Sequence, residues 1–65
     1  MKILLTEPST KVGPFQLGVV ETPMWPAKYY AGWIAASGQP ATNHTGYFRT
    51  QSEALDEYMR LLERC

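Results

Sequence analysis

A chain of 65 residues with a single cysteine has room for one small domain and cannot close an internal disulfide. Its six basic and six acidic side chains cancel, which removes the long-range attraction expected of a dedicated nucleic-acid or anionic-membrane binder. An apolar content of 45% is too high for a disordered chain, and one histidine with one cysteine cannot make a structural zinc site. We therefore expect a single small domain over residues 1–65.

The N-terminal half of the chain has the composition of strands and turns. Residues 2–6 form a short apolar run that predicts a first or edge strand, and the polar, proline-containing residues 7–14 predict a turn. Residues 15–21 alternate apolar and polar side chains, which predicts a strand with one buried face. Two prolines within residues 22–27 then predict a break in the sheet.

The C-terminal half supplies further strands and a helix. Residues 28–36, rich in aromatic and small side chains, predict a strand, and residues 44–49 predict another after a loop at 37–43. Thr50 opens a capping box, and apolar side chains recur three or four positions apart through residues 51–65, which predicts an amphipathic helix. We therefore expect an α+β fold: a three- or four-stranded antiparallel meander with one C-terminal helix packed on one face.

The strand predicted at 28–36 has no polar face. Alternate positions are apolar or small on both sides, whereas a single helix can cover only one side of a sheet. We expect the uncovered aromatic side chains, or an exposed strand edge, to bind a protein partner or a second copy of the chain in a homodimer. The expected binding residues are Trp25, Tyr29, Tyr30, Trp33 and Tyr47. In the alternative interpretation, a loop or the N-terminal segment covers this second face and the domain is purely structural.

Residues 48–54 read Phe-Arg-Thr-Gln-Ser-Glu-Ala and join the last predicted strand to the helix. Together with the preceding strand-loop-strand order, this run resembles the three-stranded-sheet-plus-helix domains of the integrase arm-binding and AP2-like type, over the C-terminal half of the chain. The resemblance implies DNA binding through a sheet face that carries alternating Arg and Lys. Here the corresponding positions are aromatic, apolar or small, so we expect the architecture to carry over without the DNA function. The size and the resemblance favour an accessory protein of a phage or other mobile element.

A second hypothesis is weak binding of nucleic acid. Bases of a single strand stack on exposed aromatic side chains, and Lys28, Arg49 and Lys11 could contact phosphates.

Catalysis is not expected. His44 lies in a turn and Cys65 is the last residue, and neither position offers a preorganised pocket or a partner base. The sequence shows no phosphate loop, catalytic triad or metal-ligand cluster, so we expect no cofactor, no metal and no small-molecule substrate. It also shows no signal peptide and no stretch of transmembrane length, which predicts a cytoplasmic protein.

Overall fold

The computed structural model describes residues 1–41 and 45–64, which form one antiparallel sheet with one helix packed against it. The sheet has the order β1-β2-β3-β4, so each strand pairs with the strand before it in the chain. The predicted α+β meander with a C-terminal helix is confirmed. The elements are β1 (Lys2–Val12), β2 (Phe15–Glu21), β3 (Tyr29–Ala35), β4 (Tyr47–Phe48) and α1 (Gln51–Arg64).

The first strand is longer than the sequence indicated. The turn expected at 7–14 is wrong, because β1 continues to Val12 and only Gly13 and Pro14 separate it from β2. Gly13 has a φ of 59°, a conformation that glycine adopts at little cost in a tight turn. Pro8 lies on the edge strand, where the register with β2 is irregular between Glu7 and Val12, so its missing N–H breaks no regular ladder.

The helix begins where the capping box predicted. The Glu53 N–H donates to the Thr50 hydroxyl at 3.3 Å, and that hydroxyl donates to the Glu53 carboxylate at 3.0 Å. Side chains three and four apart on α1 then pack against one face of β2 and β3. This helix-side core contains Leu17, Val19, Ala31, Ala54 and Tyr58.

The opposite face of the sheet is also covered, by the same chain. Val20, Tyr30 and Ile34 are buried there, and Tyr47 packs its ring edge against Tyr30 with centroids 5.1 Å apart. The segment after β3 pairs with its edge at Pro40, and two of its glycines reach the face itself, since Gly38 lies against Ile3 and Val20 and Gly46 against the Tyr30 ring. The expectation that one face of the third strand stays uncovered is therefore wrong.

A pair of glycines makes this second face compact. Gly18 on β2 lies opposite Gly32 on β3 in the register of the two strands. A Cβ at Gly18 would lie 2.6 Å from the end of the Ile34 side chain, and one at Gly32 would lie 2.9 Å from the Tyr30 hydroxyl. Two large side chains thus lie flat over backbone that carries no side chain, and little covering material is needed above them.

Candidate protein-binding surface

The five aromatic residues expected to form one surface are distributed over three places. Tyr29 and Trp33 are half-buried at the margin of the helix-side core, whereas Tyr30, with 2% of its surface exposed, and Tyr47 belong to the opposite face. Trp25 stands apart in the loop between β2 and β3, with 86% of its surface exposed. A continuous aromatic sheet surface is therefore absent from the described part of the chain, and Trp25 is the aromatic that a partner can reach in full.

The loop that carries Trp25 comprises residues 22–28 and is held together at its base. The Thr22 N–H donates to the Lys28 carbonyl at 2.6 Å, and the buried Thr22 hydroxyl donates to the same oxygen at 3.1 Å. The Met24 N–H donates to the Thr22 hydroxyl at 3.2 Å. The Trp25–Pro26 peptide bond is cis. One threonine thus organises both ends of the loop, a role that Ser, Thr, Asn and Asp side chains commonly take in turns.

A charged pair lies beside this base. Lys28 Nζ is 3.3 Å from a Glu21 carboxylate oxygen and 5.3 Å from the centre of the Tyr29 ring. The hydrogen bond to Glu21, followed by the nearby Tyr29 and Glu21 charges, raises the pKa of Lys28 above its usual value. The charge of Lys28 is therefore partly matched within the chain, which leaves less of it for an external phosphate.

The three cations of the nucleic-acid hypothesis do not share a groove. Lys28 and Arg49 adjoin the sheet end where Tyr29 pairs with Phe48, whereas Lys11 adjoins the opposite end, next to the hairpin of β1 and β2. A nucleic-acid strand whose phosphates contact all three side chains would have to run the length of the sheet. The register therefore gives no single basic track of the kind that single-strand binders use.

The surface of the described residues includes two open clefts. One, of about 450 Å³, lies at the β1–β2 hairpin and is lined by Lys11, Phe15, Gln16, Ser37 and neighbouring residues. The other, of about 280 Å³, lies between β3 and α1, where Trp33, Glu57 and Leu61 contribute to its wall. Within residues 1–41 and 45–64, no group of three or more His, Cys, Asp or Glu side chains is placed to hold a metal ion. His44 and Cys65 lie outside the described residues.

The free edge of β1 is the second exposed apolar feature, and the residue list drawn from the sequence missed it. Ile3 and Leu5 each leave 39% of their surface exposed on this edge strand, and Met24 leaves 52% exposed beside Trp25. An apolar run at 3–5 in a strand of unknown pairing was the available signal. None of the helices in the described part of the chain is long and apolar enough to cross a membrane.

Searches of protein-family models, of curated proteins and of solved structures each found nothing that matches this chain. The resemblance to integrase arm-binding and AP2-like domains therefore stays a prediction.

Proposed function

We propose that this chain is a non-enzymatic, cytoplasmic protein-binding module that presents Trp25 to a protein partner and also associates with itself through a strand edge. The observation that carries the proposal is the exposure of Trp25 on a loop whose base is hydrogen-bonded. Met24 next to it extends the apolar surface. The small size of the chain and the pattern at residues 48–54 further favour an accessory protein of a phage or other mobile element.

An exposed tryptophan on a structured loop has the properties of an interface anchor. Tryptophan is enriched among the few residues that carry most of the binding energy at interfaces, because it buries a large area with few rotatable bonds. The bonds from Thr22 to Lys28 and from Met24 to Thr22 fix part of the loop in the free protein. Binding then costs less ordering entropy than it would for an unstructured segment. The partner chemistry that fits is an apolar pocket on another protein.

Site-specific photocrosslinking in cells of the source organism tests this function. Benzoylphenylalanine placed at position 25 should yield a discrete adduct with another protein after illumination. Position 59 provides the matched control, because Met59 is 60% exposed on α1 and lies outside the loop. A discrete adduct from position 25 that is absent from position 59 supports the proposal. Equal adduct patterns, or none from position 25, contradict it.

Titration with nucleic acid separates the alternative function. A fluorescent single strand and a duplex, added at low salt, should leave the tryptophan emission and the anisotropy unchanged, since Lys11 lies far from Lys28 and Arg49 along the sheet. A saturable anisotropy change that weakens with salt would replace protein binding by nucleic-acid binding as the function of this domain.

A further inference from the structure

The two edges of the sheet differ in length. β4 has only two residues, whereas β1 extends over 11 residues and pairs with β2 on one side only. The outer side of β1 therefore presents backbone N–H and C=O groups, the arrangement on which another strand can pair. The segment 2–7 is paired with β2 up to Glu7, and Pro8 follows it. This segment is the part of the edge that stays paired with β2 apart from one irregularity at Leu4.

An irregularity at Leu4 changes which side chains share a face. Ile3 pairs with Val20 and Leu5 with Val19, so Leu4 is one extra residue on β1. Lys2 pairs with Glu21, which pairs with Tyr29 of the helix-side core, and Glu7 pairs with Leu17 of that core. Directly paired residues point to the same face of a sheet. Lys2 and Glu7 therefore both lie on the helix side, although residues five apart in a regular strand point to opposite faces.

We propose that a second copy of this chain pairs on this edge, with segment 2–7 of each copy antiparallel across a twofold axis perpendicular to the sheet. In this register Lys2 faces Glu7 of the second copy, Ile3 faces Thr6, and Leu4 faces Leu5. The inference rests on the self-association included in the proposed function, and it specifies the site and the register. The result is one continuous sheet through both copies, with both helices on the same side.

The extra residue is what makes this register consistent. Paired residues must share a face, and each of the three pairs does. Lys2 and Glu7 both lie on the helix side. Ile3 and Thr6 both lie on the other side, where they pair with Val20 and Gly18 of β2. Leu4 packs against the helix-side core and Leu5 pairs with Val19 of the same core. Without the extra residue, every one of these pairs would join side chains from opposite faces.

Charge and exposure favour the same arrangement. Among the described residues neither Lys2 nor Glu7 takes part in an ion pair, and the twofold axis brings them together twice. The Ser9 hydroxyl, 3.1 Å from the Glu7 carboxylate, helps to hold this carboxylate in place. Ile3 and Leu5 would lose part of their exposed surface. α1 packs mainly on β2, β3 and β4, and β1 is the edge strand of the sheet.

Sedimentation equilibrium with charge reversals tests the register. The wild-type protein should dimerise, and Lys2→Glu or Glu7→Lys alone should raise the dimer Kd about tenfold, since each places like charges opposite each other in two symmetry-related pairs. The double variant should recover most of the wild-type affinity. An equimolar mixture of the two single variants should form heterodimers, in which both pairs regain opposite charges. Circular dichroism of each variant serves as the control for folding.

Matched variants exclude a general effect of net charge. Lys11→Glu and Glu63→Lys change the net charge equally but lie outside segment 2–7. Each should dimerise like the wild type, and mixing the two variants should not change the dimer Kd. The proposal is overturned if the wild type stays monomeric up to roughly 1 mM, or if the single reversals at positions 2 and 7 dimerise as well as the wild type. Trp25→Ala separates the two functions. With benzoylphenylalanine at the adjacent, exposed position 24, this substitution should abolish the partner adduct that the same crosslinker forms beside Trp25, and it should leave the dimer Kd unchanged.

Discussion

Tyr58 links the helix to the edge strand at the level of single side chains. It is buried in the helix-side core, and burial, followed by the negative charge of Glu7, raises the pKa of its phenol. Both causes favour the neutral form in the folded protein. The same Glu7 lies at the end of the segment that we propose to pair with a second copy, so the two features share one carboxylate.

Tyr58 should make the stability depend on alkaline pH. A folded-state pKa raised above the unfolded value of about 10 stabilises the protein fully below that pH, and this contribution is lost as the pH rises through the folded-state pKa. Between about pH 8 and about pH 11, the wild type should therefore lose more free energy of unfolding than Tyr58→Phe. Urea denaturation at each pH measures the difference. The raised pKa of Lys28 acts in the same direction in both proteins and cancels.

A Glu7→Gln variant provides the control for this measurement. It removes the second cause and keeps the first, so its pH dependence should fall between those of the wild type and Tyr58→Phe. Identical curves for the wild type and Tyr58→Phe would show that the phenol titrates alike in the folded and unfolded chains.

At the scale of the elements, the Thr10 side chain supports the second half of β1. Where its register with β2 is irregular, the Thr10 hydroxyl takes the place of a backbone partner. It accepts a hydrogen bond from the Leu17 N–H at 2.9 Å and donates to the Glu7 carbonyl at 2.7 Å. Leu17 is fully buried, so its N–H needs a partner within the protein.

Replacing Thr10 by valine should expose the dependence of β1 on this hydroxyl. The shape of the side chain is conserved, but the Leu17 N–H loses its acceptor, which should cost about 1–3 kcal/mol of unfolding free energy. Urea denaturation gives the loss, and hydrogen exchange should show faster exchange at the Leu17 amide. Thr10→Ser keeps the hydroxyl and should lie closer to the wild type. If Thr10→Val is as stable as the wild type, the side chain does not sustain this part of the strand.

For the whole molecule, the hydrophobic core of a chain this small provides a net stability of only ~3–5 kcal/mol. The chain obtains it by burying both faces of β3, one under α1 and the other against Gly46 and Tyr47, which follow β3. Trp25 contributes almost nothing to this burial. Its large apolar ring is therefore free to contact another protein, which is the basis of the proposed function.

Fluorescence of single-tryptophan variants should distinguish the two tryptophans. Trp33→Phe leaves only Trp25, whose emission should resemble that of tryptophan in water and be strongly quenched by acrylamide, because the ring is 86% exposed. Trp25→Phe leaves the half-buried Trp33, whose emission should be shifted to the blue and less quenched. A blue-shifted, protected Trp25 would mean that the loop folds against the body of the protein, and the proposed binding surface would lose its support.

Local signals were sufficient for several elements. The alternation in residues 15–21 predicted β2 with its observed bounds, and the capping box at Thr50 predicted the start of α1. Both depend on neighbours within a few positions. The sequence predicts a turn in the second half of β1, because the hydrogen bond that supports this part of the strand joins Thr10 to Leu17 across two strands. The sequence predicts an edge strand at residues 2–6 but not which of its residues are exposed, since this depends on the order of strands in the sheet.

The sequence by itself determined that β3 is apolar on both sides, because alternation along a strand assigns each side chain to a face. Only the tertiary structure decided what covers each face. The burial of Tyr30 and Ile34 depends on the opposed glycines 18 and 32, and on Gly46 and Tyr47, which lie against Tyr30; these groups meet only through contacts between distant parts of the chain. Trp25 remains exposed for the converse reason: its loop is closed at the base by Thr22 and Lys28, and no other part of the described chain covers its ring.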